Sequence, residues 1–447
     1  MLKFLRLIMW LAIAAIIVIA AMILVPQHRS SAKDLSFDAQ WLPAHQDKTG
    51  EYVARVADCA ACHTAEGGTP YAGGRAIASP FGTIYASNIT PDKATGIGDW
   101  TLDEFRAALV DGIGKHGENL YPAMPYDNYR KLSEADIEAL YTYFHDTLEP
   151  VENKVQATAL SFPFNQRWGI RAWKWVGLPK VGFVPPSQDA QIARGAYLVE
   201  GPGHCAACHS PRNLAFAQNG TDASDPDFLS GGVIDGWTAP DLRSADATIK
   251  SWSAADLDLF LASGRNAHAG VSGEMALAIR DSLQYLSEED RAAMVAYLRS
   301  IAAYQPVVVT GEAAPKAAVA RPAALKAGLD DATRKLLLTP ENQPLGARLF
   351  MDNCAACHFA DGKGAAGIFP ALAGNATVTA KQSNGLVDTI LHGAAIPSTA
   401  QRPAELKMPG FADRLSDDDV AALASFLRSA WGNSADPVSA KDVSALR

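Results

Sequence analysis

The five residues CAACH occur three times in this chain, at 59–63, 205–209 and 354–358, and between them use all six of its cysteines. Two cysteines two residues apart, with His directly after, form the attachment pattern of c-type haem. The spacing has a physical reason. Haem carries two vinyl groups, and each takes one cysteine sulfur as a thioether. Two intervening residues bring both sulfurs to the same side of one helical turn, and the adjacent His then reaches the iron. A zinc ribbon would need paired CxxC units and leaves the three histidines unexplained. A redox dithiol needs no His at that position. The pattern points to three covalent haems c, held by Cys59, Cys62 and His63, by Cys205, Cys208 and His209, and by Cys354, Cys357 and His358. It leaves no cysteine for a disulfide or an iron–sulfur cluster.

The interval between motifs is too long for a solenoid unit and suits a small domain plus a linker. Each repeat has one internal order. A helical lead-in (TGEYVARVAD, QIARGAYLVEGPGH, PLGARLFMDN) runs into the CAACH, and a Gly/Pro/Asn-rich stretch follows. An amphipathic helix closes the repeat, at 132–148, 286–302 and 415–431, opened by a Ser N-cap with acids in its first turn. In the second, Met294, Tyr297 and Leu298 fall on one face. No stretch sustains strand alternation. The expected fold is mainly α: three tandem mono-haem domains at 45–150, 187–303 and 341–432. Between them lie a Trp/Pro-rich connector (151–186) and an Ala/Pro-rich linker (304–340) read as an extended spacer. A polar tail occupies 433–447. The connector, with Trp168, Trp173 and Trp175 among Arg167 and Arg171, is too apolar for a free linker. It is expected to pack between domains, on a partner or at a membrane interface.

Residues 1–33 stand apart. The run 7–25 is 19 apolar residues flanked by Lys3, Arg6, Arg29 and Lys33. That is longer than a signal-peptide core of roughly 7–15 residues and close to the roughly 20 of a spanning helix. The expectation is an N-terminal transmembrane anchor, with SSA at 30–32 as the competing cleavage site. Haem attachment puts the bulk of the chain outside the cytoplasm. A net charge of −9 with no long basic cluster argues against a nucleic-acid partner.

Each iron needs a sixth ligand, and a Met thioether is the usual partner where electrons are carried at high potential. Of the eight Met residues, Met1, Met9 and Met22 lie in the leader, Met351 is too near its CAACH, and Met294 sits on a core face. That leaves one per repeat: Met124 (LYPAMPYDNY), Met275 (VSGEMALAI) and Met408 (LKMPGF). His116, His145, His268 and His392 are rival ligands. No Gly-rich dinucleotide fingerprint and no nucleophile–base constellation is present.

Helix, CxxCH, Met loop and closing helix, three times over, resemble the mono-haem cytochrome c fold. The segments YAGGRAIASPFGTIYASNITPD (71–92), LYPAMPY (120–126), YLVEGPGHCAACHSPRN (197–213), FPALAGN (369–375) and MPGF (408–411) are similar to the tri-haem cytochrome subunit of membrane-bound periplasmic dehydrogenases. The resemblance spans roughly residues 50–432. It implies a non-catalytic electron-transfer subunit in the cytoplasmic membrane, facing the periplasm. The implied partners are a large catalytic subunit of PQQ, molybdenum-cofactor or FAD type acting on alcohols, aldehydes, sugars or gluconate, a small third subunit, and ubiquinone. It also implies a Pro carbonyl receiving each ligand His. Pro370 matches that position, with Pro80 and Pro240 as its candidate equivalents. Many such relatives anchor through a C-terminal extension, so an N-terminal anchor would be a departure. Two other readings stay open: a peroxidase-like or gas-binding enzyme with one open haem, and a stand-alone tethered carrier.

Overall fold

In two of the repeats, a glycine sits where the first and last helices cross. The computed structural model describes residues 2–25, 27–37, 49–234, 236–245, 247–301, 331–339 and 341–447. Their contacts form two compact units: 1–207 with 212–225, and 208–211 with 226–447.

The first unit contains α1 (Leu2–Leu24), α2 (Thr49–Val56), β1 (Ala76–Ser79), β2 (Gly82–Tyr85), α3 (Leu102–Asp111), α4 (Glu134–Thr142), β3 (Ala159–Leu160), α5 (Gly169–Gly177) and α6 (Ala190–Glu200). Helix α2 packs across α4. Gly50 lies at the crossing, where a Cβ would stand 2.1 Å from the Ala139 carbonyl oxygen, so only glycine lets the backbones approach. Thr101 caps α3 in a reciprocal pair with Glu104, and Gly112 ends it in the left-handed conformation. Ser133 caps α4 by accepting from the Asp136 amide. The three strands form one antiparallel sheet in the order β1-β2-β3. The core gathers Leu35, Val110, Leu132, Ile137, Leu140 and Phe144, none more than 2% exposed.

The second unit contains β4 (Gly232–Ile234), β5 (Trp237–Ala239), α7 (Ala254–Ser263), α8 (Glu274–Asp281), α9 (Glu288–Ser300), α10 (Asp331–Leu338), α11 (Leu345–Asn353), α12 (Asn384–His392), β6 (Ala394–Ile396), β7 (Leu406–Met408), α13 (Asp417–Ser429) and α14 (Ala440–Ser444). Strands pair only as the hairpins β4–β5 and β6–β7 among the described residues. Helices α11 and α13 repeat the glycine crossing, with Gly346 against the Ala422 carbonyl oxygen at 2.2 Å from a built Cβ. Ser287 and Ser416 cap α9 and α13. Met294, Tyr297 and Leu298 are buried, as their spacing on α9 predicts.

One expectation is corrected. Within the segment read as an extended spacer (304–340), 304–330 and 340 lie outside the described residues, but 331–338 is the helix α10. It is helical because Leu337 buries in the third repeat's core and Leu336 packs on it. The polar tail 433–447 is docked: Val438 and Val443 are buried in that same core, and Arg447 pairs with Asp417 at 2.6 Å. The start of the expected first domain, 45–48, lies outside the described residues. Taken over the described residues alone, which within α1 omit the side chains at 2, 5, 12 and 22–24, no helix is long and apolar enough to cross a membrane.

Candidate haem sites

The three CAACH motifs fold as single helical turns at Cys59–His63, Ala206–His209 and Ala355–His358. Each histidine is then held by the same pair of backbone contacts. Its ring Nδ1 lies within hydrogen-bond distance of a carbonyl oxygen: Ser87 for His63 at 2.7 Å, Pro240 for His209 at 2.8 Å and Pro370 for His358 at 2.9 Å. A carbonyl can only accept, so Nδ1 must carry the proton and Nε2 keeps its lone pair. The histidine's own carbonyl accepts from a glycine amide, Gly73 at 2.7 Å, Gly231 at 2.7 Å and Gly364 at 3.2 Å. All three glycines have φ between +60° and +96°. A Cβ on Gly73 would stand 2.5 Å from the Ser87 carbonyl carbon, and one on Gly364 would stand 2.7 Å from the Pro370 oxygen. The missing side chain is what lets the accepting carbonyl reach the ring. Pro240 and Pro370 thus occupy the expected place. In the first repeat the acceptor is Ser87, not Pro80, because Gly73 packs on the backbone just after β2.

Burial pulls all three histidines below their usual range, against the opposing pull of the carbonyls. They are neutral at pH 7, the form that ligates iron. Burial also pushes the thiols of Cys59 and Cys354 up to about 12. Among the described residues, no cluster of three or more His, Cys, Asp or Glu is placed to hold a metal ion. The donor set fits a haem held by thioethers and one imidazole, and does not fit zinc. Gly364→Ala is expected to push the Pro370 carbonyl away from His358. The outcome to measure is a shifted potential and weakened axial bonding at one haem of three, with the other two unchanged in a redox titration.

The Met loops also repeat. Helices α3, α7 and α12 end at Gly112, Gly264 and Gly393, and a backbone bridge follows each: Ile113 with Asn119, Arg265 with Gly270, Ala394 with Met408. Met124 and Met275 stand the same step beyond their bridges, 119 to 124 and 270 to 275. Met408 is in the bridge itself. Met124 and Cys59 pack on one apolar core, and Met408 and Cys354 on another. Met275 is half-buried at the second residue of α8. Met351 is core filler in the third repeat. The rival histidines have other neighbours. His116 is exposed, His145 stacks on Tyr141, exposed His268 stacks on Trp252, and His392 meets the Leu446 carbonyl at 3.1 Å.

His204, directly before Cys205, is a residue the motif search passes over. Its ring meets Tyr129 edge-on at 5.8 Å and hydrogen-bonds the Ala57 backbone, whose carbonyl also accepts from Tyr129 Oη at 2.7 Å. The lead-in to the second motif is thereby tied to the lead-in to the first. Burial drops His204 to about 4. The unfolded chain therefore binds a proton that the folded one refuses between roughly pH 6.5 and 4, so stability should fall with acidification through that window. Denaturation midpoints across this range should be less pH-dependent in His204→Gln than in the parent.

A model of the cytochrome c family matches residues 48–147, 192–302 and 344–431, one match to each CAACH. The chain belongs to the cytochrome c family. It carries three covalently bound haems c. Its sequence is 41% identical over 407 residues to the alcohol dehydrogenase (quinone) cytochrome c subunit of Gluconobacter oxydans (strain 621H), covering 90% of this chain and 82% of that one. It is 40% identical over 410 residues to the gluconate 2-dehydrogenase cytochrome c subunit of Pantoea cypripedii, covering 90% and 89%. It is 39% identical over 410 residues to the fructose dehydrogenase cytochrome subunit of Gluconobacter japonicus, covering 89% and 82%. This cytochrome is therefore similar along most of its length to subunits of three different dehydrogenases, whose named substrates are not shared.

Proposed function

We propose that this cytochrome is the electron-transfer subunit of a membrane-bound dehydrogenase. It would take electrons from a catalytic subunit that oxidises an alcohol, aldehyde, sugar or sugar acid and pass them to ubiquinone. The observation that carries the reading is the threefold clasp on His63, His209 and His358. Three equivalent sites serve a relay better than a reaction, which needs one site unlike the rest. A bound haem supplies a reversible one-electron couple. The chain's residues do the rest. Cys59 and Cys62, Cys205 and Cys208, and Cys354 and Cys357 fix the groups covalently. His63, His209 and His358 would each supply an imidazole to iron. Met124, Met275 and Met408 would each supply a thioether, so that no position is left for substrate and each potential is high. The repeated placement of Met124 and Met275 beyond matching bridges supports their equivalence.

The three haem domains would occupy 45–150, 187–303 and 341–432. Helix α1 would be the anchor, with the haem domains in the periplasm. Its 23-residue length and the exposure of Phe4, Leu7, Trp10, Leu11, Ile16 and Ile17 support this. Denatured mature protein should weigh the polypeptide plus three haems by mass spectrometry, and it should co-purify with a larger dehydrogenase subunit. Two haems or fewer after full maturation would end the reading.

A further inference from the structure

In the first unit, every exposed large apolar residue described beyond residue 25 falls between 162 and 216. Val184 is one of them, and packing brings several of the others together. Phe164 stacks on Phe81 at 3.9 Å, and Phe81 meets Phe216 edge-on at 4.9 Å. Trp173 donates to the Ala215 carbonyl at 2.9 Å, which ties α5 to the 214–216 loop. The outward members are Phe162 (79% exposed), Phe164, Trp175 (67%), Val176, Leu214 (fully exposed) and Phe216. In the two sequence segments that carry them the charges have one sign, although Lys174 is buried beside Asp111 and Arg212 lies near Asp127. From 153 to 188 the chain has no Asp or Glu but holds Lys154, Arg167, Arg171, Lys174 and Lys180, and 209–221 adds Arg212 with no acid. The same α5 grips the end of α1: Arg171 donates to the Val25 carbonyl, and Lys174 Nζ lies 3.3 Å from Gln27 Oε1. Exposed large apolar side chains brought together in this way mark a contact site.

We propose that this surface, formed by Phe162, Phe164, the outer face of α5 and Leu214–Phe216, lies in the headgroup layer of a bilayer containing anionic lipid, beside the point where α1 leaves the membrane. Aromatic residues interleaved with cations and free of acids suit that layer, where rings sit at the apolar boundary and cations meet phosphate. A protein partner would need its own acidic, apolar counter-surface. The bilayer is already supplied by α1, and in that respect the inference rests on the anchor reading. It goes beyond that reading in giving the subunit a second membrane contact, made by a folded haem-domain face and tuned by lipid charge.

The test uses the full-length holoprotein in lipid nanodiscs. Trp175→Cys and Leu214→Cys each add one reactive thiol, the native six being consumed by haem. A nitroxide on that thiol is read by collision with oxygen, which concentrates in lipid, and with a water-soluble nickel chelate. Glu138→Cys, at an exposed position on α4, is the aqueous control. At 175 and 214, oxygen accessibility should rise and nickel accessibility fall relative to 138. Replacing part of the phosphatidylcholine with phosphatidylglycerol should shift the balance further toward oxygen. Loss of access to both reagents would mean a protein covers the surface, and would overturn the proposal. Free access to nickel while the protein stays in the disc would overturn it and leave the anchor standing. A protein that does not remain with the discs would overturn both.

Discussion

Lys131→Met is expected to destabilise the protein by about 3–5 kcal/mol, the cost of leaving one member of a buried ion pair alone. Lys131 Nζ lies 2.8 Å from Glu200 Oε2, and the two side chains are 6% and 3% exposed. The Thr221 carbonyl at 2.6 Å and the Asp222 carboxylate at 3.6 Å complete its surroundings. Position matters as much as burial. Lys131 precedes the cap of α4, and Glu200 is the last residue of α6, the helix that leads to Cys205. Next to the pair, Asn128 donates to the Glu200 carbonyl at 3.0 Å, and the Tyr197 hydroxyl accepts from the Ser133 amide while donating to Asp136. The segment after Met124 is thereby locked to the approach to the second CAACH. Denaturant unfolding of Lys131→Met, Glu200→Met and the double variant measures the effect. The double variant should recover most of the loss, because an apolar pair of similar volume leaves no uncompensated charge. Two single losses that simply add would show that the charges do not act as a pair.

Met124→His is expected to lower the potential of one haem and leave the other two where they were. Imidazole donates more strongly to ferric iron than a thioether does, and axial ligands span roughly 0.8 V across haem proteins. Met408→His should do the same at a different haem. Met→Ala at either position should instead open one iron and create carbon monoxide binding that the parent lacks. A potentiometric titration followed optically resolves the three steps. No displaced step in Met124→His would remove Met124 from the ligand set. A lowered haem within the relay should also slow quinone reduction while substrate oxidation with an artificial acceptor continues.

What could be read from the sequence is what is local in it. The CAACH turns need only neighbouring residues, and so do the Ser caps of the closing helices. Ser133, Ser287 and Ser416 were readable because a cap acts within three residues. The histidine clasp was readable only in part. The acceptor in the first repeat is 24 residues from His63, on a loop whose path depends on the β1–β2 hairpin, and nothing in the letters favours Ser87 over Pro80. Gly73 and Gly364 lie among many glycines, and only the fold marks these two as the ones whose missing side chain lets a carbonyl reach a ring. The helix at 331–338 was hidden by its composition, since Leu336 and Leu337 become a buried face only once the third repeat is there to receive them. The connector proved divided: Trp173 packs inward on Tyr126, while Trp175 faces out.

In the proposed relay, three haems carry electrons without an open iron. Carbon monoxide titration of the fully reduced holoprotein tests this most directly. The prediction is no binding at any haem, together with a weak Met–iron charge-transfer band in the oxidised spectrum. Stoichiometric binding at one haem would contradict it, leaving an iron free for chemistry. Met275, which lacks the Pro that follows both Met124 and Met408, would be the first assignment to fall.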